Sequence, residues 1–325
     1  MQGESLKVLV GPNLMGLEQA LPDLQESFPG VGFAHFHERE GLAAVIADAD
    51  IYMGWLGRAE FLAARKLKWV QSPSSGVNAF LAIPELAGGN VLLTSASGTH
   101  ATCVAESALA MILAFTRGVR ASVLRQRDRV WAMYDIRASQ VELTGGIMGI
   151  VGFGAIGRAL AARALAFGMQ VVAVDVSPKE KPADVAWLRG IDGLADLLRN
   201  SDYVVVTVPY TGETSHMIGV PQLALMKPTA MLVGMSRGGV IDQHALAQAL
   251  RARRLAAAAL DVFEPEPLPA GDELWDVENL LITPHIAGGT QYEAQHIIAI
   301  FRENLGRFLR GEFPLRNQVD KTLGY

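Results

Sequence analysis

GIMGIVGFGAIGRALAARALAFGMQVVAVDVS, residues 146–177, decides the fold of this 325-residue chain. An apolar run, Ile147–Val151, leads into Gly152-x-Gly154-x-x-Gly157. A helical pattern follows from about Ala155 to Phe167, and a second apolar run ends on Asp175, eighteen positions past the third glycine. A lone GxGxxG is weak evidence. Strand, glycines, helix, strand and acid in that order describe a phosphate-cradling βαβ unit.

Each residue type in the unit has a physical task. Gly152 permits a tight turn, Gly154 lets backbone approach a pyrophosphate, and Gly157 lets the helix pack closely on the sheet. The N–H groups of the first helical turn, at Ala155 and Ile156, then face the phosphates with the positive end of the helix dipole. Asp175 can accept hydrogen bonds from both ribose hydroxyls, and its charge repels a 2′-phosphate, so NAD is expected in preference to NADP. A glycine turn serving packing alone is the alternative, and the acid argues against it.

The remaining chain fits an α/β protein with two doubly wound parallel sheets. Half of the residues are apolar, 19% are charged and the formal charge is −5. That is globular composition with no general attraction for nucleic acid or an acidic membrane. The single cysteine, Cys103, rules out an internal disulfide and fits a reducing, cytoplasmic setting. The N-terminal MQGESLKVLVG lacks the long apolar segment of a secretion signal, and no apolar run reaches the roughly 18 residues of a membrane span.

Short apolar runs alternate with helical patterns over nearly the whole length, the signature of parallel sheets. Five strands are expected first, at Leu6–Val10, Val31–Phe36, Ile51–Gly54, Trp69–Gln71 and Val91–Thr94. A helix over Thr99–Thr116 and a basic stretch, Arg117–Arg137, precede the glycine motif. Six strands then follow, at Ile147–Val151, Val171–Val174, Tyr203–Val208, Met231–Gly234, Ala256–Leu260 and Leu280–Thr283, which is the count of a full dinucleotide-binding unit. Because that unit is complete by Thr283, the helical pattern from Gly288 to about Leu309 is free to return to the first domain. The expected division is a discontinuous, flavodoxin-like substrate domain, residues 1–97 with 288–325, and a Rossmann domain, residues 98–287, with ligands bound in a cleft between them.

Three residues with chemistry fall just past successive strands, at the carboxyl edge where doubly wound sheets bind ligands. Arg237, in MSRGGVID, is a permanently charged fork suited to a carboxylate. His285, in TPHIAGG, follows a proline and precedes two glycines, which suggests a tight, ligand-facing turn, and histidine suits general acid–base work near neutral pH. An acid from DVFEPEP would steady the ring, and on chemistry alone Glu264 and Glu266 are both candidates, with Asp261 a third. Asp261, ending an apolar strand, either faces the cofactor or caps the following turn. Met235, Asp261 and Gly288, at the same strand ends, are further candidate cofactor contacts.

LTGGIMGIVGFGAIGRALA, LMKPTAMLVGMSRGGVID, AALDVFEPEPLP and NLLITPHIAGGT, in that order and at that spacing, resemble the D-isomer-specific 2-hydroxyacid dehydrogenases. The resemblance implies hydride transfer between NAD and C2 of a small D-2-hydroxy acid or 2-keto acid. It implies Arg237 as the substrate-binding arginine, Glu266 as the acid supporting the histidine, and His285 as the acid–base. It further implies that backbone near Ser75-Gly76, in QSPSSGVN, grips the substrate carboxylate, and that the chain is a homodimer. Gly234, Asn78, Ser95 and Thr207 depart from the commoner pattern, where asparagine, aspartate, asparagine and histidine are frequent. A binding protein of the same fold, an NAD-sensing corepressor, is the alternative, and the lack of long disordered flanks argues against it.

Other signals carry less. His35-x-His37-Glu38 could pair on a metal, but without further ligands a solvated strand end is expected. Six arginines between Arg117 and Arg137 surround Trp131. They suggest a solvated or subunit-facing surface rather than nucleic acid in an acidic chain. Arg58, a candidate phosphate contact, reads as an ordinary surface arginine.

Overall fold

The computed structural model describes residues 5–324, so residues 1–4 of the N-terminal MQGESLKVLVG lie outside the described residues. Among the described residues the chain forms two compact units, one of residues 5–100 with 290–324 and one of residues 101–289.

The first unit holds five parallel strands: β1 (Leu6–Val10), β2 (Val31–His35), β3 (Ile51–Met53), β4 (Trp69–Gln71) and β5 (Leu92–Thr94), in the order β2-β1-β3-β4-β5. Successive side chains of a strand point to opposite faces, and here both faces are apolar. Val8, Val10, Ile51, Met53 and Trp69 fill one side, and Leu9, Tyr52, Val70 and Leu93 the other. The helix Glu293–Arg310 covers the first side through Ile297, Phe301 and Leu305, four residues apart and therefore on one stripe. Trp69 stacks on Phe301 with ring centroids 5.2 Å apart, and its Nε1 donates to Thr94 Oγ1 at 2.7 Å.

The second unit is built on seven parallel strands: β6 (Ile147–Val151), β7 (Gln170–Val174), β8 (Trp187–Arg189), β9 (Tyr203–Val206), β10 (Met231–Gly234), β11 (Ala257–Leu260) and β12 (Leu280–Ile282). Their order is β12-β11-β10-β9-β6-β7-β8. The doubly wound parallel architecture read from the sequence is present in both units, with one strand more than expected in this one. β8 has three residues, all at least partly exposed, at the sheet edge. It therefore carries no apolar run by which to recognise it. In the centre the alternation is clear, with Val204, Val206 and Leu232 on one face and Tyr203, Val205, Met231 and Val233 on the other. The helix Ala155–Ala166 buries Gly157, Leu160, Ala161 and Ala164 at helical spacing and packs beside the helix Ala101–Thr116. The basic stretch forms two further helices, Val119–Arg127 and Met133–Ala138.

Candidate active site

The strand order of the second sheet reverses between β6 and β9, and the crevice past their carboxyl ends is where an open α/β sheet receives a ligand. The glycine turn occupies it. Gly152 has φ +96°, and a Cβ there would lie 2.9 Å from Val208 Cγ1. At Gly157 a Cβ would lie 2.3 Å from the Gly152 carbonyl oxygen, so the helix crosses the turn too closely for a side chain. Gly154 is different. It is exposed, and a Cβ there would meet no atom within 4 Å. It is also the N-cap of the helix Ala155–Ala166, with no side chain to cap it. A buried turn that opens at one glycine onto an uncapped, ten-ångström-scale helix N-terminus fits a pyrophosphate. Thr207, past β9, donates its hydroxyl to the Gly152 carbonyl at 2.8 Å and so braces the turn.

Asp175 follows β7 and points at the same turn. Its Oδ2 accepts from the Phe153 N–H at 2.7 Å and its Oδ1 from the Ser177 N–H at 2.9 Å. Two oxygens offer about four acceptor sites, and two backbone bonds leave capacity for the paired hydroxyls of a ribose. The side chain is only partly buried.

The other chemistry lies past β10, β11 and β12. Beyond β10, Met235 and Ser236 are buried, and Arg237 Nη1 donates to the Ser236 carbonyl at 2.7 Å. Burial pulls the Arg237 guanidinium down from its ordinary value, and the charge of the nearby Glu266 opposes that shift. The base value of arginine is so high that it stays charged. Gly238 comes so near the next turn that a Cβ would overlap the Phe263 carbonyl oxygen at 1.8 Å, which locks the arginine loop to the segment carrying the acids.

Of the two glutamates flanking Pro265, Glu266 reaches the histidine. Its Oε2 lies 2.7 Å from His285 Nδ1, while Oε1 accepts from the Phe263 N–H at 2.9 Å. Glu264 turns to His216, 3.6 Å away, and its carbonyl accepts from Gln243 Nε2. Because a carboxylate only accepts, Nδ1 carries the hydrogen, and Nε2 is the nitrogen left to exchange a proton. His285 sits at φ +52°, a left-handed conformation that costs a non-glycine residue energy and persists only where neighbours impose it.

Asp261 imposes it. This carboxylate is 2% exposed, and it accepts from Thr283 Oγ1 at 2.5 Å and from the N–H groups of Ile286 and Ala287 at 3.0 Å each. Its own carbonyl accepts the His285 N–H at 2.8 Å. Capping the turn is thus the role that its hydrogen bonds fill. The Gly288 carbonyl accepts from Cys103 Sγ at 3.2 Å, tying the end of the turn to the helix Ala101–Thr116.

In the first unit, Ser75 and Gly76 lie on the loop after β4, with Ser75 exposed and Gly76 half-buried. Arg58 is committed to Glu85, with Nε 3.0 Å from both carboxylate oxygens. His35 is not a solvated strand end: its side chain is 11% exposed, its ring meets His37 at 4.0 Å, and Glu18 lies 3.9 Å from Nε2. The sequence pattern missed this because β2 is followed by charged residues, while Glu18, which stands against the ring, comes from the short helix after β1. Among the described residues no group of three or more potential ligands could hold a metal, and no single helix is long and apolar enough to cross a membrane.

A family model described as "D-isomer specific 2-hydroxyacid dehydrogenase, NAD binding domain" matches residues 109–287. The chain belongs to the D-isomer-specific 2-hydroxyacid dehydrogenases. A glyoxylate reductase from Korarchaeum cryptofilum is 37% identical over 258 residues, 78% of this chain and 76% of that one. An (S)-sulfolactate dehydrogenase from Chromohalobacter salexigens is 40% identical over 222 residues, 68% of this chain and 71% of that one. The solved NADPH-dependent glyoxylate/hydroxypyruvate reductase from Sinorhizobium meliloti, in complex with NADP and sulfate, superposes with a TM-score of 0.84 at 26% identity, covering 98% of this chain and 100% of that one. This dehydrogenase is therefore an oxidoreductase with a nicotinamide-dinucleotide domain, and its chemistry is hydride transfer to a 2-keto acid.

Proposed function

We propose that the protein is an NAD-dependent D-2-hydroxyacid dehydrogenase acting on a small 2-keto or 2-hydroxy acid, with Arg237, Glu266 and His285 as its catalytic residues. The observation that carries this reading is the 2.7 Å contact between Glu266 Oε2 and His285 Nδ1, on a turn held by a buried aspartate beside the glycine turn's sheet. When bound, the nicotinamide supplies or accepts the hydride. Gly152, Gly154, Ala155, Ile156 and Gly157 would hold the pyrophosphate and Asp175 the adenosine ribose. The buried Met235 side chain leaves only its backbone, and that of Gly288, for cofactor contact.

His285 Nε2 gives its proton to the C2 oxygen in reduction and takes it back in oxidation, a role worth about 10² to 10⁴ in rate. Glu266 holds the ring in the required tautomer and orientation through its Nδ1 contact. Arg237 forks onto the substrate carboxylate and polarises the neighbouring carbonyl. Backbone at Ser75 and Gly76 adds a second grip on that carboxylate, as the family resemblance implies.

Asp175 favours NAD, because a fixed carboxylate repels a 2′-phosphate. A specific feature favours the second reading, that NADP is accepted: Arg158, Lys179 and Lys181 line a pocket of about 460 Å³. Lys181 is engaged there with the carbonyls of Pro182 and Val185, and Arg158 with that of Glu180, which leaves Asp175 as the stronger influence. Curated relatives are named as reductases and dehydrogenases, so a binding-only corepressor is not favoured.

We further infer a homodimer formed through the segment around Trp131, which is 91% exposed beside the exposed Val130, Met133 and Tyr134. Sedimentation of Trp131→Glu as a monomer supports it, and an unchanged mass contradicts it. A screen of glyoxylate, hydroxypyruvate, 2-ketobutyrate and phenylpyruvate with NADH and NADPH tests the main proposal. Turnover of a small keto acid with NADH is expected. Tight NADH binding with no turnover of any substrate would return the corepressor reading, and a clear preference for NADPH would overturn the argument from Asp175.

A further inference from the structure

At the carboxyl edge of the first sheet, three segments distant in sequence meet on one imidazole. His100 ends the turn after β5 and its side chain is 14% exposed. Its Nδ1 lies 3.2 Å from Ser75 Oγ, on the loop after β4, and 3.0 Å from Thr99 Oγ1. Its Nε2 lies 3.1 Å from Glu293 Oε1, in the first turn of the C-terminal helix. Both hydroxyls also donate to the Ala96 carbonyl, Ser75 at 3.1 Å and Thr99 at 2.7 Å, and the Ala96 N–H returns to the Ser74 carbonyl at 3.0 Å. The same helix adds His296, whose Nδ1 stands 3.2 Å from the Thr99 carbonyl.

The arrangement has the layout of a strut. Between the buried Pro73 and Val77, the segment Ser74–Gly76 is short and polar and packs no apolar side chain of its own, so its conformation depends on the groups it bonds. Here the ring spans from the loop to a carboxylate that sits on a long, packed helix. A side chain locked between a loop and a rigid element is the usual means of holding a binding loop in register. We propose that His100, braced by Glu293, is a positioning residue for substrate binding: it holds the Ser75-Gly76 loop in the conformation that receives the carboxylate of the 2-keto acid. This rests on the reading of that loop as the carboxylate grip.

Because His100 acts on substrate placement rather than on proton or hydride movement, its loss should appear in KM. His100→Ala is expected to raise KM for glyoxylate or hydroxypyruvate about tenfold, with kcat and NADH Kd within about twofold of the parent enzyme. His100→Asn, whose amide stands near Nδ1, should recover much of the loss by keeping the Ser75 contact. Glu293→Gln should raise KM less than His100→Ala does.

Gly76→Val, which places a branched side chain on the loop itself, separates the two levels of inference. If it raises KM while His100→Ala does not, the loop is the grip and the strut proposal is wrong. If Gly76→Val leaves KM unchanged, the grip reading fails and the strut falls with it. A fall in kcat at constant KM in His100→Ala, or a parallel loss of NADH affinity, would also overturn the proposal, and an unaltered NADH Kd confirms that the variants are folded.

Discussion

Asp175 and Asp261 are the same side chain at the end of a strand in the same sheet, and they serve opposite ends. Each accepts two backbone N–H groups, Asp175 one from the glycine turn and one from Ser177 two residues on, Asp261 both from the turn after β12. Asp175 is partly exposed and keeps acceptor capacity, so its charge can be read by a ligand. Asp261 is 2% exposed, adds the Thr283 hydroxyl and also receives the His285 N–H on its carbonyl, so its charge is consumed inside the protein. Burial decides which carboxylate keeps acceptor capacity for a ligand and which is used up in holding a turn. In the proposed site, the cofactor end would depend on backbone with one partly exposed acid, and the catalytic end on side chains whose turn is held by a buried acid.

Substitutions can break this contrast, beginning with the largest effect. Arg237→Met should lower kcat/KM about a thousandfold, since a forked, charge-assisted contact with the substrate carboxylate is lost, and Arg237→Lys should restore little of it. Steady-state kinetics decides this, and a loss below about tenfold would remove the arginine from the substrate site.

Asp261→Ala leaves the buried Ala287 N–H, the part-buried Ile286 N–H and the Thr283 hydroxyl without their acceptor, and should cost about 3 kcal/mol of stability together with much of kcat. Denaturant titration and kinetics on the folded fraction measure both. The ratio of NADH to NADPH activity should not change, and a change there would erase the distinction drawn between the two aspartates.

Asp175→Ala should do the reverse. NADH affinity is expected to fall about tenfold and NADPH use to rise, with about 1 kcal/mol or less of stability lost because the group is solvated. Stability lost as heavily as in Asp261→Ala would place Asp175 with the structural acids.

The legibility of the sequence follows the same division. The glycine turn could be read because each requirement is local: a positive φ at Gly152, no room at Gly157, open space at Gly154. Strands buried on both faces declared themselves as apolar runs, whereas β8, three partly exposed residues at an edge, did not. At the catalytic end the residue types were visible but not their pairing. Glu264 and Glu266 flank one proline with equal chemistry, and only the family resemblance chose between them before the structure showed which one meets His285. Asp261 was open among three roles, partner of the histidine, cofactor contact and turn cap, because burial is a property of the folded sheet. The His100 strut was not seen at all, since its partners lie 25 and 193 positions away.

His285→Ala tests the central claim most directly, by kinetics with a small keto acid and fluorescence titration with NADH. A kcat reduced at least about a hundredfold with NADH Kd within about twofold is the predicted result. A kcat and an NADH affinity that decline together, or a kcat that barely changes, would contradict the assignment of acid–base catalysis to this turn.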